Sequence, residues 1–335
     1  MPDASLDWKR FLRLARFHRV QGLVWKSLSP LAESIPEHIG EALSNDVAGI
    51  AASNLVAAAQ CAGLLPRFTA SGVPVLFLKG LTLGALAYGT STVKAAADID
   101  LLIPPAMLDE SIRLLQSLGY RALEPRDADP RRLRRWHRLR KESLWAKRGA
   151  AVAIDLHTRA SDTRRLIASI DNDSPQQLVD VGNGIALPTL ADDELFAYLA
   201  VHGSWSMWFR LKWVADFAAL VGPLAPAEIE RRFRRSLELG AGRCGAVALL
   251  LADAFFDSLS GNDALRDELR HDRAVRWLCR SALKQVAGRQ EPVEPTAVRL
   301  GTARIHWSEL FLVPGLSFKL SELARQGFVA AANLA

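Results

Sequence analysis

The sequence predicts an α+β protein, with a small mixed-sheet α/β core at residues 71–160 set between helical regions at 1–70 and 161–335. Three observations lead there. Apolar side chains recur at helical spacing in the flanks, as Trp8, Phe11, Leu12 and Ala15 do near the start. The middle of the chain instead carries short apolar runs bounded by glycine and proline, which suit buried strands. One of these, Asp98-Ile99-Asp100-Leu101-Leu102-Ile103, follows a Lys79-Gly80 turn and precedes a later alternating run that carries Asp155.

Each element has its own signal. Residues up to about 68 read as helices, with an Ala-rich stretch of helix formers at 50–65, and Ser71-Gly72 breaks them. Residues 73–78 form a nearly continuous apolar run, too short for a helix, ending at Gly80. A helix at 81–88 stops at Gly89-Thr90-Ser91, and the strand at 98–103 is closed by Pro104-Pro105. Residues 107–118 place leucine and isoleucine at helical intervals and end at Gly119, a C-cap; 120–123 is a further strand. Strands at 143–146 and 151–157 are joined around Gly149. The second puts Val152, Ile154 and Leu156 on one face and Asp155 and His157 on the other. From Asp192 the pattern is helical through 194–221, 226–239, 244–259 and 263–286; Pro292 and Pro295 loosen it, and a last apolar segment begins at 310. No fixed-period repeat is present.

Composition narrows the function classes. Half of the 335 residues are hydrophobic, enough for a substantial core and too many for a disordered chain. No signal-type start and no uninterrupted apolar run of bilayer length is found, so the expectation is a cytoplasmic protein without a membrane span. Cys61, Cys244 and Cys279 are odd in number and far apart, which supports buried thiols and neither a disulfide framework nor a zinc cluster. A net charge of +6 suits a polyanionic ligand, a nucleoside triphosphate or RNA, without choosing between them.

On an extended strand, residues two apart share a face, so Asp98 and Asp100 project side by side while Ile99 and Leu101 face away. Paired hard oxygen donors suit Mg²⁺ or Mn²⁺. Gly80 opens a helix whose free N–H groups would seat phosphates, with Lys79 and Lys94 adding point charges. His157 shares the face of Asp155, as a structural hydrogen-bonding group or an acid–base one. The densest charge run, 131–141, is a solvated helix face or hairpin arm; alternatively Arg134, Arg135 and Arg138 border the cleft, with Trp136 stacking on an acidic acceptor such as RNA. His202 reads as a buried, hydrogen-bonded histidine. Asp216 lies on an apolar stripe with Phe209, Trp213, Phe217 and Leu220, so it needs a partner, Lys212 or the core, and it and Arg210 read as structural.

The stretches V-L-F-L-K-G-L-T-L-G-A-L-A-Y, K-A-A-A-D-I-D-L-L-I and V-A-I-D-L-H together resemble the uncharacterised nucleotidyltransferase family of the polymerase-β-like superfamily. The segments A-R-F-H-R-V-Q-G-L-V, H-G-S-W and R-L-K-W-V-A-D-F-A-A-L extend the likeness over most of the chain. By that resemblance Lys79 and Gly80 form the turn, Asp98 and Asp100 the metal pair, and Asp155 the third acid. Lys94 stands where the family commonly has Arg, and Ala97 where it often has Gly; Lys keeps the charge but loses bidentate phosphate binding. The resemblance implies metal-dependent transfer of a nucleoside monophosphate, AMP by default, from an NTP to an acceptor (protein, RNA or small molecule) with release of pyrophosphate. The alternative is a catalytically silent module that binds nucleotide, RNA or protein.

Overall fold

The structure is a computed structural model and describes residues 6–150, 152–287 and 293–334. Helices α1 (Trp8–Phe17), α2 (Gln21–Leu28) and α3 (Glu37–Ala70) lead into β1 (Leu76–Phe77), α4 (Leu81–Tyr88), β2 (Asp98–Leu102), α5 (Leu108–Ser117), β3 (Arg121–Glu124), α6 (Pro130–Leu139), β4 (Glu142–Ala146) and β5 (Ala153–His157). A hairpin of β6 (Gln176–Asp180) and β7 (Ala186–Leu190) follows. The remainder is helical: α7 (Asp192–Trp205), α8 (Leu211–Val221), α9 (Pro226–Glu238), α10 (Cys244–Phe256), α11 (Asp263–His271), α12 (Arg273–Ala287), α13 (Ala303–Glu309) and α14 (Leu316–Leu334).

Strands β1-β2-β5-β4-β3 form one mixed sheet, in which β2 and β5 are parallel and the other neighbours antiparallel. Its two faces bury different clusters, which is why β2 reads as apolar apart from its aspartates. Ile99, Leu101, Ile154 and Leu156 pack with Cys61, Leu64 and Phe68 of α3 and Leu115 of α5. Leu76, Leu78 and Leu102 belong to the cluster built by α7, α8 and α10, with Leu195, Phe217 and Leu249. Asp98 and Asp100 share the face of Leu102, so they look toward the C-terminal helices.

Four expectations are corrected, one being the helix expected at 263–286, which divides into α11 and α12 at Asp272, whose backbone is extended. The strand expected at 73–78 is shorter, with Leu76 and Phe77 paired to β2 and Leu78 N donating to Asp100 O at 3.1 Å, while Pro74, which has no N–H to donate, falls before it. The stretch expected to be wholly helical after 160 contains the β6–β7 hairpin, turned by Gly182-Asn183-Gly184, all at positive φ. That hairpin places Val179 and Leu187 in the α3 cluster, and Val181 O accepts from Ser91 Oγ at 2.7 Å, bracing the loop before β2. The expected helix at 194–221 is broken between α7 and α8, where Met207 and Trp208 take left-handed φ of 49° and 52°. The buried Trp208 ring folds back onto Gly203, where a Cβ would lie 2.5 Å from it, so no larger residue fits at 203.

By length and composition α3 is apolar enough to cross a bilayer. Its inward face is instead committed to this fold. Asn54 Nδ2 donates to the carbonyls of Ser91 and Lys94, and Gln60 Nε2 donates to Val152 O at 3.0 Å.

Helix α6 starts where Asp129 caps it, accepting from Arg132 N at 2.7 Å, with Pro130 in the first turn. It buries only Leu133 and His137, so its arginines ride on the solvent side. The His137 ring nitrogens sit 3.1 Å from Thr158 Oγ1 and 2.9 Å from Ser143 Oγ, pinning the helix to the sheet. Burial, with Arg159 and His157 nearby, pushes this imidazole down to about 3. Between the unfolded value near 6.5 and about 3 the unfolded chain therefore binds the extra proton, and stability is full above that window and falls as pH drops through it. The loss is on the order of 5 kcal/mol across the window. His137→Gln is expected to flatten the acid limb of a pH series of urea melts; an unaltered slope between pH 6 and 4 would sink this assignment.

Candidate active site

The register of two strands builds the centre of the site. Asp100 of β2 lies directly opposite Asp155 of β5, and Leu102 opposite His157. One ligand atom each from Asp100, Asp155 and His157 falls within 4.8 Å of the others. Asp98, two residues earlier on the same face, is partly open to solvent, while Asp100 is only 2% exposed. Lys79, leaving β1, places Nζ 2.5 Å from Asp100 Oδ2 and 3.3 Å from Asp98 Oδ1. Oδ2 is thus enclosed against the Lys79 ammonium, with no other donor beside it.

His157 is fully enclosed, with Nε2 at 3.1 Å from Asp100 Oδ1 and 3.2 Å from Glu142 Oε2, and Nδ1 3.4 Å from Lys141 Nζ. Those partners assign the hydrogen to Nε2, with Nδ1 accepting from the ammonium. His157 thus donates to Asp100 and anchors it, and its ring is not offered to an incoming group as the acid–base alternative required.

Charge balance explains the protonation states. Burial alone would raise Asp100, but Lys79 and His157 outweigh it and hold this carboxyl well below the usual range. Burial would depress Lys79, but Asp100 and Asp98 hold the ammonium well above its ordinary value. Asp155 is pushed up to about 8, by burial and then by Asp100, Glu142 and Asp98. Glu142 falls to about 2, since Lys141 and His157 overcome its burial.

The donor set fits a hard divalent cation. Ligand atoms of Asp100 and Asp155 meet within 4.8 Å beside His157, Asp98 lies on the same face of β2, and burial with the neighbouring carboxylates leaves a proton on Asp155 that a cation would displace. Lys79 supplies part of that positive charge from within the chain.

Beside the acids lies a narrow cleft, bordered by Lys79, Gly80, Lys94, Asp98, His202 and Lys212. Gly80 adopts φ of +73° and caps α4; Gly84 N is bonded back to Gly80 O, so the N–H groups between them have no helical acceptor. Space near Gly80 is ordinary, a Cβ falling 3.5 Å from Asp98 O, so its requirement is conformational. Gly80→Ala is expected to cost about 1–3 kcal/mol and to weaken nucleotide binding by tilting those N–H groups. Thermal melts and a nucleotide titration check both, and wild-type behaviour in each would refute the turn's role.

The family described as uncharacterised nucleotidyltransferase matches residues 4–257. The chain belongs to that family. No curated protein matches it. The nucleotidyltransferase family match covers every carboxylate of the site and the whole sheet, and leaves α11–α14 outside.

In this family member the structure repositions several expected residues. Lys79 pairs with the carboxylates and Lys94 lies 3.6 Å from Asp216, so neither ammonium is free in the cleft. Asp216 accepts from Tyr88 Oη at 2.8 Å, tying α8 to α4 through these partners in place of Lys212. Lys212 instead borders the cleft, pushed down to about 7 by burial and then by Lys94 and Lys79. His202 stacks on Tyr198 and meets the Trp213 edge, so it walls the cleft. Arg210 is structural, bonded to Phe17 O and Glu294.

The arginine run does not reach the carboxylates. Arg134 is paired with Asp109 at 2.8 Å, and Arg134 and Arg138 border a separate cavity that Arg135 does not line. Trp136 is not available for stacking: its Nε1 donates to Glu142 O at 2.8 Å and Arg140 covers its ring. Glu142 and Lys212 were missed as site residues. Glu142 falls one position before the strand expected at 143–146, and Lys212 carried only the local signal of a possible partner for Asp216.

Proposed function

We propose that this chain is a Mg²⁺- or Mn²⁺-dependent nucleotidyltransferase that moves a nucleoside monophosphate, AMP by default, from an NTP to an acceptor hydroxyl or phosphate. The observation that carries this reading is the register-matched pair Asp100 and Asp155, with Asp98 on the same face of β2 and bordering a cleft that Lys79, Lys94, Lys212 and the N-terminus of α4 also line. Asp98, Asp100 and Asp155 would hold the metal, which when bound neutralises charge growing on the phosphates. Gly80 and α4 orient the β- and γ-phosphates, and Lys212 meets their charge. The acceptor oxygen bonds to the α-phosphorus as the α–β bridge breaks; pyrophosphate leaves with the electron pair, and Asp155 takes the hydroxyl proton. A cytoplasmic location, where triphosphates are supplied, belongs to the same proposal.

The test is incubation with each labelled NTP and Mg²⁺ in host lysate, following both pyrophosphate and the labelled product. Asp98→Ala is expected to abolish both. Hydrolysis of NTP with no labelled product would replace transfer by a phosphatase-type reaction.

A second reading is favoured by Lys79, because a chain that already holds an ammonium between Asp98 and Asp100 has less need of a metal. A silent binding module would bind nucleotide equally well in the wild type and in Asp98→Ala, with no turnover in either.

A further inference from the structure

A second cavity, of about 560 Å³, opens beside α6, with Arg134, Arg138, Arg159, Arg164 and Ser161 on its walls. Its charge is not balanced from within. Arg134 is occupied by Asp109, and Asp171, the carboxylate on the wall, is engaged in its own turn through Asp173 N. Among the described residues Arg138 and Arg164 have no ion-pair partner. Arg159 spends Nη1 on His137 O at 2.7 Å, while its Nε is buried with no partner. Burial, then repulsion from Arg164, depresses that guanidinium, the strain expected of a cation waiting for an anion.

Independently, Ser161 is 6% exposed and its Oγ has no hydrogen-bond partner. A buried hydroxyl left unpaired costs about 1–3 kcal/mol, which a bound oxygen would recover. Ser161 and Ala160 also line a third cavity, which holds Lys141, Glu142 and His202. His202 in turn walls the cleft of Lys94 and Lys212. The three cavities therefore adjoin, from the lysine-rimmed cleft, past Glu142, to the arginines.

We propose that the arginine cavity is a subsite for a phosphate monoester on a small molecule, with Arg138, Arg159 and Arg164 gripping the phosphate and Ser161 Oγ donating to it. Its assignment as the acceptor's subsite rests on the transferase reading above; phosphate binding does not. Guanidinium forks suit a terminal phosphate dianion. A nucleic acid strand would want aromatic platforms along its path, and Trp136 is turned away from this cavity.

Glycerol 3-phosphate, with glycerol as control, is titrated calorimetrically into the metal-free protein. Three proteins are compared: wild type, Arg138→Ala combined with Arg164→Ala, and Lys94→Ala combined with Lys212→Ala. Both arginines are exposed, so their loss leaves the fold intact. The wild type binds the phosphate ester and not glycerol, the arginine variant loses at least about tenfold in affinity, and the lysine variant does not. ATP affinity is unchanged in the arginine variant. The proposal is overturned by no measurable binding to wild type, by an arginine variant within about twofold of wild type, or by a loss confined to the lysine variant. An oligouridylate that binds more tightly than glycerol 3-phosphate and depends on the same arginines overturns it in favour of nucleic acid. Should no NTP ever turn over, the transferase reading fails while this binding result stands.

Discussion

Asp100→Asn is expected to lower metal-dependent pyrophosphate release on the order of 10³-fold and to destabilise the apo protein by about 3 kcal/mol. Both effects come from one carboxylate. Asparagine keeps the shape and can still meet the His157 N–H, but it cannot neutralise Lys79, whose side chain is 15% exposed beside it. Removing one member of a buried ion pair leaves the other charge desolvated, and that penalty exceeds the worth of the pair. Asp98→Asn separates the two consequences. Its side chain is 35% exposed, so activity should fall comparably while the melting midpoint barely moves. Steady-state pyrophosphate assays and urea melts on both variants check this. Unchanged turnover in Asp100→Asn would end the catalytic reading of the strand.

Lys79→Met is expected to destabilise the chelator-treated protein by about 3–5 kcal/mol, since Asp100 would then keep a negative charge with only His157 to answer it. Here the remedy distinguishes the cause. If the carboxylates are built for a cation, Mn²⁺ should raise the melting temperature of Lys79→Met by more than it raises that of the wild type, whose ammonium already competes for the same oxygens. A ligand at about a hundred times its dissociation constant contributes about 2.7 kcal/mol, enough to register clearly. Equal shifts in the two proteins would mean that Lys79 and the ion do not share a site. This melting readout is independent of turnover, so it also tests a silent binding module.

The strands and turns that matter most were legible because their signals are local. Asp98 and Asp100 share a face by the two-residue period of a strand, and Gly80 announces itself at a strand-to-helix turn that demands positive φ. Ile154 and Leu156 likewise declare the buried face of β5. What was not legible depends on strand order. Nothing in the spacing of Lys79 and Asp100 says that an antiparallel β1 will carry the ammonium onto the carboxylates, nor that Leu144 will pair with Asp155 and so bring Glu142 to His157. The α7–α8 break is invisible for another reason: Met207 and Trp208 have no preference for left-handed backbone and are held there by packing. The β6–β7 hairpin, by contrast, was readable from Gly182-Asn183-Gly184 and was overlooked within an expected helical region.

Because Asp100 and Asp155 are ladder partners on adjacent parallel strands, their separation is gauged by the interstrand repeat of about 4.8 Å. Peptide hydrogen bonds on both sides of β2 and β5 keep that gauge from widening. The sheet therefore behaves as a caliper. An ion held there would be sorted by radius through main-chain spacing, and a homologue carrying glutamate at either position would have to reset its backbone before it could grip the same ion.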